Sequence, residues 1–207
     1  KGGRFITHMK KLSGVETPLA NFFASGLLAL DQKLGPILWQ LPPNLGFDAD
    51  RLDAFCAALP RTAGSAAEIA AKHDQRVPDN HALTKAAHPS QRLRHAIEVR
   101  HESFRTPGFY RLLRKHKIAL VVADNPGQWP IITEITTDLM YVRLHGHDQL
   151  YASGYSDQEL DDWATKIKSW TEQGCDVYVY CDNDAKVRAP YDAMGLMDRL
   201  GLTQRIN

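Results

Sequence analysis

Apolar and polar positions alternate along this chain in two ways, as brief apolar runs and as longer stretches of helical period. Residues 18–34 carry Leu19, Phe22, Phe23, Leu27 and Leu30 at helical spacing, opened by Thr17-Pro18 and stopped by Gly35-Pro36, which predicts one helix with a single apolar face. Residues 37–41 are too few for a helix and are closed by Pro42-Pro43, so they predict a buried strand. Helical period returns over 48–59, with Leu52, Phe55, Cys56 and Leu59 inward. Residues 61–92, alanine-rich at first and then polar and mildly basic, read as an insertion or long loop. Beyond it strands are expected at 95–100, 118–123, 139–144 and 176–181, and helices at 107–116, 157–172 and 191–200. Ser156 with Glu159 three residues on forms a capping box for the helix that Gly174 ends.

Short strands separated by helical segments imply parallel pairing through right-handed crossovers, an α/β class. If Phe5-Ile6 is the end of a further strand there are six, whereas a closed barrel of this kind needs eight. The pattern therefore predicts a single TIM-type (β/α) barrel domain over residues 1–207, lacking its first two strands. The opening residue, Lys1, fits a chain that begins mid-domain.

In a parallel α/β protein the C-terminal strand ends gather on one face, where ligands bind. Those ends carry His8, Gln40, Glu98, Arg100-His101-Glu102, Asp124-Asn125, Arg143, His145-Gly146-His147 and Asp182-Asn183-Asp184. Pleat parity sharpens the set. Ile97 and Val99 suit the helix layer, which turns Ala96, Glu98 and Arg100 to the other face; Met140, Val142 and Leu144 likewise turn Tyr141, Arg143 and His145; Val177, Val179 and Cys181 turn Tyr178, Tyr180 and Asp182. Buried charges are costly unless they pair or meet a ligand, so Glu98, Arg100, Arg143 and His145 form either a salt-bridge layer or a layer that also binds substrate.

Charge adds little to this picture: 25 lysines and arginines stand against 24 aspartates and glutamates, so no global excess points to nucleic acid, membrane or an acidic partner. Three cysteines without CxxC spacing argue against a disulfide framework or thiolate zinc site and fit a reducing cytoplasm. No apolar run reaches membrane-spanning length. Phosphate-loop and GxGxxG patterns are absent, as is a HExxH metal motif.

The segments Phe5-Ile6-Thr7-His8, Gln40-Leu41-Pro42-Pro43, Glu98-Val99-Arg100-His101-Glu102-Ser103-Phe104, Tyr141-Val142-Arg143-Leu144-His145-Gly146 and Tyr178-Val179-Tyr180-Cys181-Asp182-Asn183-Asp184 follow one another as do the motifs of the domain of unknown function 72 family, the YecE-like barrels. The chain resembles that family over nearly its whole length. Phe104 and Cys181 depart from it, standing where tryptophan and phenylalanine are frequent. The resemblance implies a TIM-type barrel and an N-terminal portion, with a glycine-serine-glycine-tryptophan strand, that is not in this sequence; it implies no reaction.

Three functions are expected in competition. One is an enzyme on a phosphorylated or carboxylated small substrate, such as a metal-assisted hydrolase or phosphoesterase-like protein. Glu98, His145 and Asp124 would be catalytic, Arg100, Arg143, Gln40, Asn183 and Tyr151 would bind substrate, and His8, Glu98, Asp124 and His145 would hold zinc, manganese or iron. A second is a nucleic-acid-binding or nucleic-acid-processing protein, in which Trp129, Tyr151 and Tyr155 stack bases. The third is an inactive form with open sheet edges.

Overall fold

The computed structural model describes residues 1–146 and 148–202, and the chain divides into two compact units, Lys1–Ile118 and Ala119–Asn207.

In the first unit β1, Ile37–Gln40, runs parallel to β2, His95–Glu98, with Trp39 opposite Ile97 and Gln40 opposite Glu98. The face bearing Trp39 and Ile97 is covered by helices. Trp39 is fully buried, 5.3 Å by ring centroids from Phe22 of α1 (Glu16–Ala24) and 5.3 Å edge-on from Phe55 of α2 (Ala49–Ala58). The pleat then turns Gln40 and Glu98 to the opposite face, as their spacing predicts. α3, Ala63–Ala70, is held by a capping box between Thr62 and Ser65, and α4, Pro107–Lys115, starts with proline at its first turn. The excursion over 61–92 closes on itself: Thr62 bridges Arg92, and the Leu93 amide donates to the Arg61 carbonyl at 2.8 Å. Its polar part is pinned to α1 by Asn21 with Asp74, and by the Leu83 amide on the Ala24 carbonyl.

The second unit places β4, Leu139–Leu144, between β3, Ala119–Asp124, and β5, Asp176–Cys181, all parallel. Met140, Val142 and Leu144 form one cluster with Leu160, Trp163, Ile167 and Trp170 of α5, Asp157–Glu172, and with Leu196 of α6, Ala189–Arg199; Val177, Val179 and Cys181 pack against it. The predicted parity is thus met on both strands, and Tyr141, Arg143, Tyr178, Tyr180 and Asp182 take the other face. β5 is the least covered strand, with Tyr180 44% exposed.

Two expectations are corrected. The helix predicted over 18–34 is broken twice: α1 stops at Ala24, Gly26 takes φ 101°, and the tighter helical stretch Leu27–Lys33 that follows is itself kinked at Asp31, φ 45°. The apolar spacing runs on across a backbone conformation that breaks the hydrogen-bond ladder. More consequentially, the strand expected to end at Phe5-Ile6 is a helical turn, Phe5–Met9, whose amides find local partners, such as Lys10 on the Phe5 carbonyl at 2.8 Å. Only Gly2 follows the edge of β1, its amide 2.7 Å from the Leu38 carbonyl, where a Cβ would lie 2.3 Å from the Trp39 ring. Among the described residues there are five strands. The α/β class with parallel strands holds, but these five strands are one fewer than the six expected and do not make the TIM-type barrel, lacking two strands, that the pattern predicted; that expectation is withdrawn. No helix among the described residues is long and apolar enough to cross a membrane.

Candidate functional site

The polar strand ends resolve into one cluster in each unit. In the first, Lys1, Arg4, His8, Gln40, Pro43 and Arg100 line a cavity of about 350 Å³. Gln40 and Arg100 reach it from the ends of β1 and β2. His8 reaches it from the Phe5–Met9 turn, together with Arg4 one helical turn earlier. Gln40 Oε1 accepts from Lys1 Nζ at 2.7 Å, and His8 Nδ1 lies 2.8 Å from Thr7 Oγ1. The His8 imidazole is held below its ordinary range by burial and then by the charges of Arg4, Lys1 and Arg100. It is therefore a neutral base near neutrality in a field of positive charge. Behind the cavity Glu98, completely buried, accepts from Arg100 Nε at 2.8 Å. That contact holds the guanidinium in place.

In the second unit Arg143 and His145 converge on Asp182, the arginine through Nη2 and the fully buried histidine through Nδ1 at 3.0 Å, both on Oδ2. Burial alone would raise the Asp182 carboxyl, but the contact from His145 and the Arg143 charge outweigh it and hold the group below the usual carboxylate range. Trp129 and Tyr151 stand edge-on to the His145 ring at 5.5 and 5.2 Å. Asn125 builds the turn that presents Trp129, its Oδ1 accepting from the Gln128 and Trp129 amides. Asp124 accepts from the Tyr155 hydroxyl at 2.8 Å, and burial together with the Asp124 charge keeps that phenol protonated. Asn183 is fully buried, its amide donating to the Ser153 carbonyl and, at 2.6 Å, to Asp192. These contacts make Asn183 and Asp124 organisers of the loop after β4. Trp129, Tyr151 and Tyr155, the residues expected to stack bases, are packed within this network.

That loop depends on Gly146, at φ 100°, where a Cβ would sit 2.5 Å from the Gln149 carbonyl oxygen. His147 lies outside the described residues. Among the described residues no group of three or more His, Cys, Asp or Glu side chains is placed to hold a metal ion. The expected ligand set His8, Glu98, Asp124 and His145 is not assembled there, and Glu98 and Asp124 have their carboxylates engaged by Arg100 and Tyr155.

Sequence reasoning passed over three residues of these clusters, Lys1, Arg4 and Asp182. Arg4 escaped because residues 5–6 read as a strand; as a helix, its spacing of four from His8 puts both on one face. Asp182 was placed on the correct face by parity, yet its contacts with Arg143 and His145 depend on the register of β4 with β5, where Arg143 stands opposite Tyr180.

A family model described as "Protein of unknown function DUF72" matches residues 1–207. The chain belongs to the DUF72 family. Its fold is also seen in a DUF72 protein of Thermotoga maritima, 21% identical with a TM-score of 0.74 over 97% of this chain and 72% of that one. Two structures of a DUF72 protein from Enterococcus faecalis are each 19% identical. Their TM-scores are 0.61 and 0.58, over 84% and 83% of this chain but only 61% and 63% of the Enterococcus chain. No curated protein matches. At such identities the likeness of this DUF72 chain to solved structures establishes fold and leaves chemistry to the site itself.

Proposed function

We propose that this DUF72 chain is an enzyme that binds an anionic small molecule, phosphorylated or carboxylated, in the cavity of its first unit, with His8 as the acid or base. The observation that carries this reading is the convergence of Lys1, Arg4 and Arg100 with His8 and Gln40 on one cavity of about 350 Å³. That volume suits a metabolite-sized ligand. Three cations at one cavity wall raise the local potential, which both draws an anion and depresses His8. Arg100 is fixed by Glu98 and so presents an oriented guanidinium with little rotamer entropy left to lose. Bound dianion would relieve the repulsion on His8 and return its basicity toward normal, so substrate binding itself would tune the histidine for proton transfer. The described residues do not fit a three-ligand metal centre, and no step is routed through a metal.

The test is titration of the protein with inorganic phosphate and with malonate, followed by calorimetry and by the His8 imidazole resonances. Saturable binding that moves the His8 titration upward is expected, with Arg4→Gln weakening it about tenfold, the worth of one charge-assisted hydrogen bond. If neither anion shifts His8, or if Arg4→Gln and His8→Gln bind as the parent does, the reading fails. Turnover of a phosphomonoester panel that survives His8→Gln would retain the pocket and remove its base.

A further inference from the structure

In the second unit α6 carries more apolar surface than the core beneath it covers. Leu196 is buried in the cluster over β4, and successive residues of a helix stand about 100° apart around its axis. Met197 therefore lies about 100° round from Leu196, Met194 about 60° further and Tyr191 about 60° beyond that. An apolar arc of about 220° is roughly twice what a helix needs to pack on a single core. The side chains on the far part of this arc are exposed, as are Val187 just before α6 and Leu202 just after it, all between 42% and 67%. Met197 and Leu202 also border a groove of about 380 Å³ between α5 and α6, lined at its base by Val177 and Val179 of β5.

The charges at the ends of α6 are an independent observation, because they run against the helix dipole. Acid is favoured at a helix N-terminus and base at the C-terminus. Yet Lys186 and Arg188 lead into α6, and Asp198 stands in its last turn, four residues on from Met194 and on the same side. The charges that do suit the dipole are already used: Asp192 is bonded to Asn183, and Arg199 to Asp157 and Asp161. Among the described residues no side-chain hydrogen bond or ion pair engages Arg188 or Asp198. A second α6 laid antiparallel against the first would bring these opposite charges together. With Met194 at the twofold axis, Asp198 of one copy stands level with Pro190 of the other, about 3 Å along the axis from Arg188 and within the span of an arginine side chain.

We propose that this face of α6 binds the same face of a second copy of the chain, the two helices antiparallel about a twofold axis at Met194, so that Tyr191, Met194 and Met197 of each copy are covered by the other. Such a pairing is isologous, the arrangement that closes on itself and leaves no apolar face over. Methionines suit it, since their unbranched side chains adapt to the irregular groove between α5 and α6. The exposed apolar side chains amount to on the order of 500 Å² per copy, taking about 200 Å² for a large side chain. The groove walls and charged flanks supply the remainder of the ~800 Å² a side that a stable pair buries. Arg188 and Asp198 form two symmetry-related ion pairs, which fix the antiparallel sense.

The test is sedimentation equilibrium of the full chain across the micromolar range. A reversible equilibrium between one and two copies is expected. Met194→Glu should abolish it; the position is exposed and glutamate is a good helix former, so urea unfolding of this variant should match that of the parent monomer. The charge reversals carry the geometry. Arg188→Glu alone and Asp198→Arg alone should each weaken pairing about tenfold, because two attractions become two repulsions. An equimolar mixture of these two variants should regain parent-like pairing, since each mixed pair again sets acid against base at both ends. A parent that sediments as a single copy at every concentration would overturn the proposal, as would pairing that survives Met194→Glu. Pairing that is lost in Met194→Glu but indifferent to both charge reversals, or not regained in the mixture, would overturn the antiparallel arrangement.

Discussion

His95 makes the first unit acid-labile in a defined window. The ring is buried among the helices, accepts from Trp39 Nε1 at Nδ1 across 3.1 Å, and through Nε2 meets the Pro60 carbonyl at 2.7 Å. Nδ1 must stay bare to receive the indole proton, so the neutral Nε2–H tautomer fills both contacts and the imidazolium breaks one. Burial, only partly offset by the Pro60 hydrogen bond, pushes the group down to about 4 from an ordinary value near 6.5. Between these values the unfolded chain takes up a proton that the folded one refuses. The stability His95 contributes is therefore complete above pH ~6.5 and is lost as the pH falls toward ~4, by about 3 kcal/mol in all. His8, also depressed, acts in the same sense. Urea unfolding at a series of pH values from about 7.5 to about 3.5, a span that brackets the window, should show parent stability falling steeply below pH ~6.5, and His95→Gln should flatten the fall by removing the titrating group. Equal pH slopes in parent and variant, or a His95 resonance titrating near 6.5 in the folded protein, would refute the tautomer argument.

Other consequences are as direct. Arg100→Gln removes the guanidinium paired with the fully buried Glu98 carboxylate and should cost about 3 kcal/mol, read from urea unfolding, whereas the double variant with Glu98→Gln should recover part of it. Gly146→Ala forces a Cβ to within 2.5 Å of the Gln149 carbonyl at φ 100° and should lower stability by more than ~1 kcal/mol, with amide shifts centred on the loop after β4. The Asp182 carboxyl carbon should titrate below the usual carboxylate range; its contribution is present above the unfolded value near 4 and is lost as the pH falls through the depressed folded one. Arg143→Gln should move that titration up.

The strands and their parity were legible because one face of each is packed against helices, where a wrong parity would bury charge. Met140, Val142 and Leu144 have no other place than against α5. What escaped the pattern is what backbone geometry decides. Nothing in Phe5-Ile6 distinguishes a strand end from a helical turn once only two apolar residues are available, and the error hid Arg4. Gly26 looks like any glycine in an apolar stretch until its φ of 101° divides the helix. The division of labour within the polar set was equally invisible. Glu98 and Asp124, expected as catalytic, and Asn183, expected to bind substrate, are engaged by Arg100, Tyr155 and Asp192, partners that spacing alone does not reveal.

That support has a common form in the two units. Glu98 fixes Arg100 from two residues away on the same chain segment, and Asp182 fixes Arg143 from the neighbouring strand. A guanidinium left to itself on a long side chain loses rotamer freedom when it captures an anion. One anchored by a carboxylate has lost much of that freedom on folding, so more of the electrostatic gain remains as binding energy. The anchor also lowers the net charge an incoming anion sees. Cations beyond the anchored one are therefore needed if a pocket is to bind anions tightly. The first unit supplies them, since Lys1, Arg4 and Arg100 meet at one wall of the His8 cavity while Glu98 stands behind it. In the second unit Asp182 serves Arg143 and His145 together, and its contacts balance charge within the cluster. This asymmetry is the physical reason to look for anion chemistry at His8 and for fold-organising chemistry at His145.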